Sequence, residues 1–186
     1  MRAHFGQIES RFFGEPILLA LAGALVSAGC ATAKAAKPYE EEQKLVTGHI
    51  ETFDDLDYNV FSGQKWPELH RSHSNNVTVH WPDGHVTRGI DKHIDDLKAM
   101  FVWAPDTRIK EHTVKLGQRE WTSVIGVMQG TFTQPMPAGN GKTIPPTNKA
   151  YKIQMATIGH WKDGVMDEEY LFWDNQEFMK QIGLGT

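Results

Sequence analysis

The chain has 186 residues, a formal net charge of −4, 40% hydrophobic residues and a single cysteine. That balance argues against a broad basic footprint for nucleic acid, and one cysteine excludes an intrachain disulfide or a thiolate metal cluster. With six Trp, nine Phe and four Tyr the chain can bury a substantial core.

Pro16 to Ala28 is an apolar run of about thirteen residues, right for the core of a signal peptide and short for a bilayer span. Gly29-Cys30 follows, then a small-residue linker from Ala31 to Lys37. The stretch resembles a bacterial lipoprotein signal, with Cys30 as the lipid-bearing residue and the membrane attachment. Ordinary cleavage near Ala31-Thr32-Ala33 is the other route to export, and a cytoplasmic helical extension is the competing reading. Residues 1–37 are therefore expected to be leader and linker, and residues 38–186 one domain of ordinary size.

Pro38 suits a helix start, and Val46, Ile50, Phe53, Leu56 and Val60 recur at helical spacing up to Phe61. A shorter helix is expected over Trp66–His73, then a strand over Val77–Trp81 closed by the turn Pro82-Asp83-Gly84. Ile90, Ile94, Leu97 and Phe101 mark a third helix over Gly89–Val102. After Pro105 the pattern turns to strands: Arg108–Leu116, Trp121–Thr133 and, beyond a Pro/Gly-rich loop, Ala150–Trp161. Lys162-Asp163-Gly164 reads as a tight hairpin into a last strand, Val165–Trp173. On that strand Val165, Asp167, Glu169, Leu171 and Trp173 share one face. Asp174 then caps a short helix that ends before Gly183. Helices grouped ahead of a strand meander indicate an α+β fold, with helices on one face of a curved, mostly antiparallel sheet.

Glu169 stands out within this pattern. A carboxyl desolvated beside Leu171 and Trp173 would be pushed upward in pKa, into the range useful for general acid/base work. The bland alternative is a solvated member of the acidic run Asp167-Glu168-Glu169. His70 and His73 lie three apart on an expected helix, with His80, His85 and His93 beyond. The H-E-x-x-H spacing is missing, however, and no metal or cofactor is expected.

The string Val77-Thr78-Val79-His80-Trp81-Pro82 resembles the SnoaL-like polyketide cyclase group of the nuclear-transport-factor-2-like (NTF2-like) superfamily. So do Gly89-Ile90, Gly130-Thr131-Phe132, Ile144 through Lys149, and the tail from Asp163-Gly164 to Gly183. The resemblance covers Phe53 to Gly183. It implies a cone of helices and curved sheet, a homodimer, and an apolar or polyketide-like small molecule in the mouth. It also implies cofactor-free ring closure through an acid/base carboxylate assisted by histidines. Counted from the hairpin, the family's carboxylate position falls on Leu171, its strand histidine on Glu169, and the histidine of the preceding strand on Thr157. Leucine cannot exchange a proton, so either the chemistry moves to Glu169 on the same face, as acid or base with His80 as polarising partner, or it is absent. Phe53, Trp81, Thr157, Leu171, Trp173 and Asp174 are the residues expected to bind the ligand, although capping alone accounts for Asp174. The expected function is a cyclase- or isomerase-type enzyme acting on an apolar carbonyl compound. Two rivals are a non-catalytic exported binding protein and a dimerisation module whose cavity is filled by Trp121, Trp161 and Trp173.

Overall fold

The computed structural model describes the backbone of residues 21–185 and the side chains of residues 38–185. The apolar leader and the Cys30 side chain therefore lie largely outside the described residues. Two compact units are present, Met1–Glu40 and Glu41–Thr186. No described helix is long and apolar enough to cross a membrane.

The first helix, α1, covers Leu21–Asp55 and keeps Pro38 inside it rather than at its start. The expected linker is thus helical, in keeping with its four alanines between positions 31 and 36, because alanine is the best helix former. At its C-terminal end α1 widens into a π turn, Leu56–Phe61, in which Leu56, Asp57, Val60 and Phe61 are all buried. A π turn inserts extra backbone between successive inward positions, and such turns often occur at functional sites. The next segment is a 3-10 turn, Trp66–Arg71. His73 therefore opens a strand instead of closing a helix.

That strand, β1 (His73–His80), leads into β2 (Val86–Arg88), α2 (Ile90–Trp103), β3 (Arg108–Gln118) and β4 (Trp121–Thr131). The Pro/Gly-rich loop carries a small ribbon, β5 (Met136–Pro137) with β6 (Thr143–Ile144). Then come β7 (Ala150–Lys162), β8 (Val165–Trp173) and α3 (Asn175–Gln181). The architecture is the expected α+β one, a six-stranded sheet in the order β2-β1-β8-β7-β4-β3. Among the described residues, the β1–β8 pair of this sheet is parallel and its other pairs are antiparallel.

The β7–β8 hairpin turns on Asp163 and Gly164, both at positive φ (52° and 83°), the signature of a tight I′ turn. Just past the turn the ladder slips, with Trp161 opposite Met166 but His160 opposite Glu168. Asp167 is the extra residue of this bulge. It leaves the face that simple alternation gave it, and its Oδ1 pairs with His160 Nδ1 at 2.6 Å. Met166, Glu169 and Leu171 are the buried residues of β8.

The core falls into two clusters. One gathers Phe61, Val77, Val79, Phe101, Trp103, Met128, Met155 and Leu171 with their neighbours. The other gathers Phe53, Leu56, Val60, Leu69, Val124, Trp161 and Met166. Asp174 caps α3 as expected, accepting from Gln176 N at 2.9 Å and Glu177 N at 3.0 Å.

Candidate functional site

Between the two clusters lies an apolar hollow, lined by Leu56, Phe61, Leu97, Met100, Met128, Met155, Leu171 and the indoles of Trp81 and Trp173. Its polar lining includes Asp57, His73, His93, Thr157 and Glu169. The hollow offers about 60 Å³ to the centres of water-sized molecules, and about 570 Å³ of free space with its open mouth counted. A ligand of more than a few atoms must therefore displace side chains. The unbranched methionines Met100, Met128 and Met155 are suited to yielding.

Glu169 is 4% exposed. Its neighbours are not the expected ones. Its Oε2 lies 3.6 Å from His73 Nε2 and 3.5 Å from His93 Nε2, and all three residues are buried. Register explains the pairing: β1 runs parallel to β8, and His73 at its start sits opposite Met166. His93 comes from the first turns of α2. Burial pushes the Glu169 carboxyl up, but the His73 and then the His93 imidazole outweigh it and hold the group below its ordinary range. The upward shift expected from desolvation alone is therefore not found. Burial lowers His93 to about 4, so its ring is neutral at pH 7. Glu169 Oε2, His73 Nε2, His93 Nδ1 and Thr157 Oγ1 are buried with no hydrogen-bond partner.

His80 does not converge on Glu169. In the β1–β8 register Val79 lies opposite Glu169 and His80 opposite Tyr170, so His80 occupies the other face. Its Nε2 meets Glu168 Oε1 at 2.9 Å, and its ring stacks on Tyr170 at 4.2 Å. Phe53 is fully buried, yet it packs in the second cluster, edge-on to Trp161 and His112, rather than in the hollow. Asp174 is exposed and occupied as a helix cap. Trp81, Thr157, Leu171 and Trp173 do line the hollow. Trp121 is exposed and Trp161 belongs to the second cluster, so no tryptophan plug forms.

Asp57 and His112 were not anticipated. Asp57 lines the hollow, and its Oδ2 meets His112 Nε2 at 2.7 Å. On the ring's other side Nδ1 meets Asp54 Oδ1 at 2.8 Å, and Asp54 Oδ2 accepts from the Lys115 ammonium at 2.9 Å. A continuous chain thus runs from a part-exposed lysine to the hollow. Burial pushes Asp57 up despite His112. Burial also opposes charge on His112, but Asp57 and Asp54 outweigh it and raise the imidazole above its ordinary 6.5. Both shifts favour the protonated form of their group across the 2.7 Å contact. A raised pKa gives stability that is complete below pH 6.5 and lost as pH climbs through the folded value. The wild type should accordingly lose stability relative to His112→Asn between pH 6 and pH 9 in urea titrations. A difference that stays constant with pH would show that folding leaves the imidazole's pKa unshifted.

The sequence profile of the SnoaL-like polyketide cyclase family matches residues 53–182. Among solved structures, the chain is similar to a protein from Jannaschia sp. CCS1 assigned as a SnoaL-like polyketide cyclase. The TM-score is 0.65 at 16% identity, over 75% of this chain and 94% of that one. IdmH of Streptomyces antibioticus, assigned as a polyketide cyclase, gives 0.62 at 17% identity, over 73% and 98%. An NTF2-like protein of unknown function from Burkholderia pseudomallei gives 0.59 at 14%, over 73% and 98%. No curated protein matches. At these identities the structural likeness speaks for the fold, while the profile spans well over half of the sequence. The chain belongs to the SnoaL-like polyketide cyclase family.

Proposed function

We propose that the protein is a cyclase- or isomerase-type enzyme that moves protons on a small, largely apolar carbonyl compound held in the hollow. One observation carries this reading: two carboxylates and two imidazoles are buried against a single apolar cavity, and several of their atoms have no protein partner. Burying such groups is costly unless something satisfies them. A ligand bearing polar oxygen on an apolar frame would do so.

Removing a proton beside a carbonyl needs a carboxylate that can both take and release it, and stabilisation for the oxyanion that develops. We assign the proton to Asp57, whose raised pKa and link to His112 suit exchange. The His73–His93–Glu169 cluster faces the carbonyl oxygen, with Glu169 orienting the imidazoles. Thr157 offers a further hydroxyl. The wide apolar wall selects the carbon frame.

The test is turnover on a panel of apolar β-dicarbonyl and polyketide-like compounds. Glu169→Gln keeps the shape but weakens its hold on the imidazoles, and should lower kcat/KM about 100-fold, as for loss of a positioned polar group. Undiminished turnover by this variant, on a substrate the wild type converts, would remove the cluster from the mechanism.

A further inference from the structure

We propose that His73, His93 and Glu169 form a binding site for one divalent first-row metal ion, with zinc the best match to the donor set. Two imidazoles and one carboxylate on separate elements, with a position left open to a cavity, are the usual protein share of a catalytic zinc site. The three donor atoms lie within 4.8 Å of one another.

Distances separate this cluster from an ordinary hydrogen-bonded one. Five other histidine–carboxylate contacts have closed to 2.6–2.9 Å. The two contacts to Glu169 Oε2 stand at 3.5 and 3.6 Å, beyond a hydrogen bond. Donors arranged tetrahedrally around zinc, at bonds near 2.0–2.1 Å, are separated by about 3.3 Å. A shared proton draws partners together. A metal ion holds them apart, and the two Glu169 contacts stand near that spacing, while the widest of the three separations, within 4.8 Å, would draw in on binding.

The unpartnered atoms point the same way. Ser72 Oγ lies 3.1 Å from the Leu69 carbonyl and 2.9 Å from His73 Nδ1, and so fixes the ring from behind. His73 Nε2 and Glu169 Oε2 are buried and have no partner. A metal cation between them would satisfy both. The Ser72 contact is also the outer-shell support that fixes a metal-bound imidazole.

This inference rests on the reading that the hollow is the reaction site, and it extends the oxyanion role of the cluster to a metal-polarised carbonyl. Asp57 remains the proton carrier. The full chain should be stripped with a chelator, then titrated with Zn²⁺ by calorimetry and with Co²⁺ by visible absorption. One equivalent per chain is expected, with a low-symmetry Co²⁺ spectrum. Glu169→Gln and His93→Asn should each abolish the stoichiometric site, with the fold checked by circular dichroism. Ser72→Ala should keep the stoichiometry and weaken affinity about 10- to 100-fold. Failure of the folded wild type to bind Zn²⁺, Co²⁺, Mn²⁺ or Fe²⁺ stoichiometrically would overturn the site, as would equal binding by the variants. If metal-free protein turns over its substrate at full rate, the metal's role at the carbonyl falls and the proton-transfer reading stands. If metal binds but Asp57→Asn leaves turnover intact, the reverse holds.

Discussion

Replacing Asp57 by Asn should lower turnover by about 10²- to 10⁴-fold, the usual contribution of a positioned acid or base. The amide fills the same space and can still accept from His112, so the π turn and its packing should persist. What it cannot do is carry a proton between the cavity and the imidazole 2.7 Å behind it. The loss should therefore appear in kcat more than in KM, because an interaction used only in the transition state is removed. His112→Asn should give a smaller loss, since Asp57 remains in the hollow and only its link toward Asp54 is cut. Asp57→Asn with wild-type kcat would transfer the proton step to another group.

The largest effect on stability is expected at Trp161, which is 1% exposed at the centre of the second cluster. Its indole stacks on His49 at 4.6 Å and meets Phe53 edge-on at 6.1 Å. Its Nε1 donates to Thr122 Oγ1 at 2.7 Å. Trp161→Ala removes the ring and leaves a cavity walled by Phe53 and Met166, which β4 and β7 cannot close without breaking their ladder. A cost of about 3–5 kcal/mol is expected, a large share of the roughly 5–15 kcal/mol that keeps a domain folded. Trp161 does not line the hollow, so whatever protein remains folded should keep its kcat. Urea unfolding gives the first quantity and turnover per folded molecule the second. A loss below about 1 kcal/mol would mean that the cluster is looser than its contacts imply.

The strands were legible because their signals are local. Asp163-Gly164 between two alternating runs fixes a hairpin, and alternation alone turns Glu169 and Leu171 to the same side. The cavity positions of Trp81, Thr157, Leu171 and Trp173 followed from that geometry together with the family resemblance. Asp57 falls on the buried stripe by helical count, four residues after Phe53 and three before Val60, but a carboxylate among apolar residues reads by default as the stripe's edge. Its partner His112 lies fifty-five residues further along the chain, and no local pattern joins the two. His80 was misplaced for a different reason. Which face of β1 meets Glu169 depends on a parallel register between segments some ninety residues apart, and period two then sends Val79 inward and His80 outward. His73 and His93 were visible as histidines. Only the same long-range register and the docking of α2 bring them to one carboxylate.

The most direct test of the central claim, that this hollow is where a proton leaves the carbon next to a carbonyl, is deuterium uptake followed by NMR. A carbonyl compound converted by the wild type is incubated with the protein in D₂O, and the signal of the adjacent C–H is monitored. The account predicts that this position fills with deuterium in the presence of wild-type protein and stays protonated with Asp57→Asn. Conversion without any uptake from solvent, or equal uptake with the Asp57 variant, would contradict it.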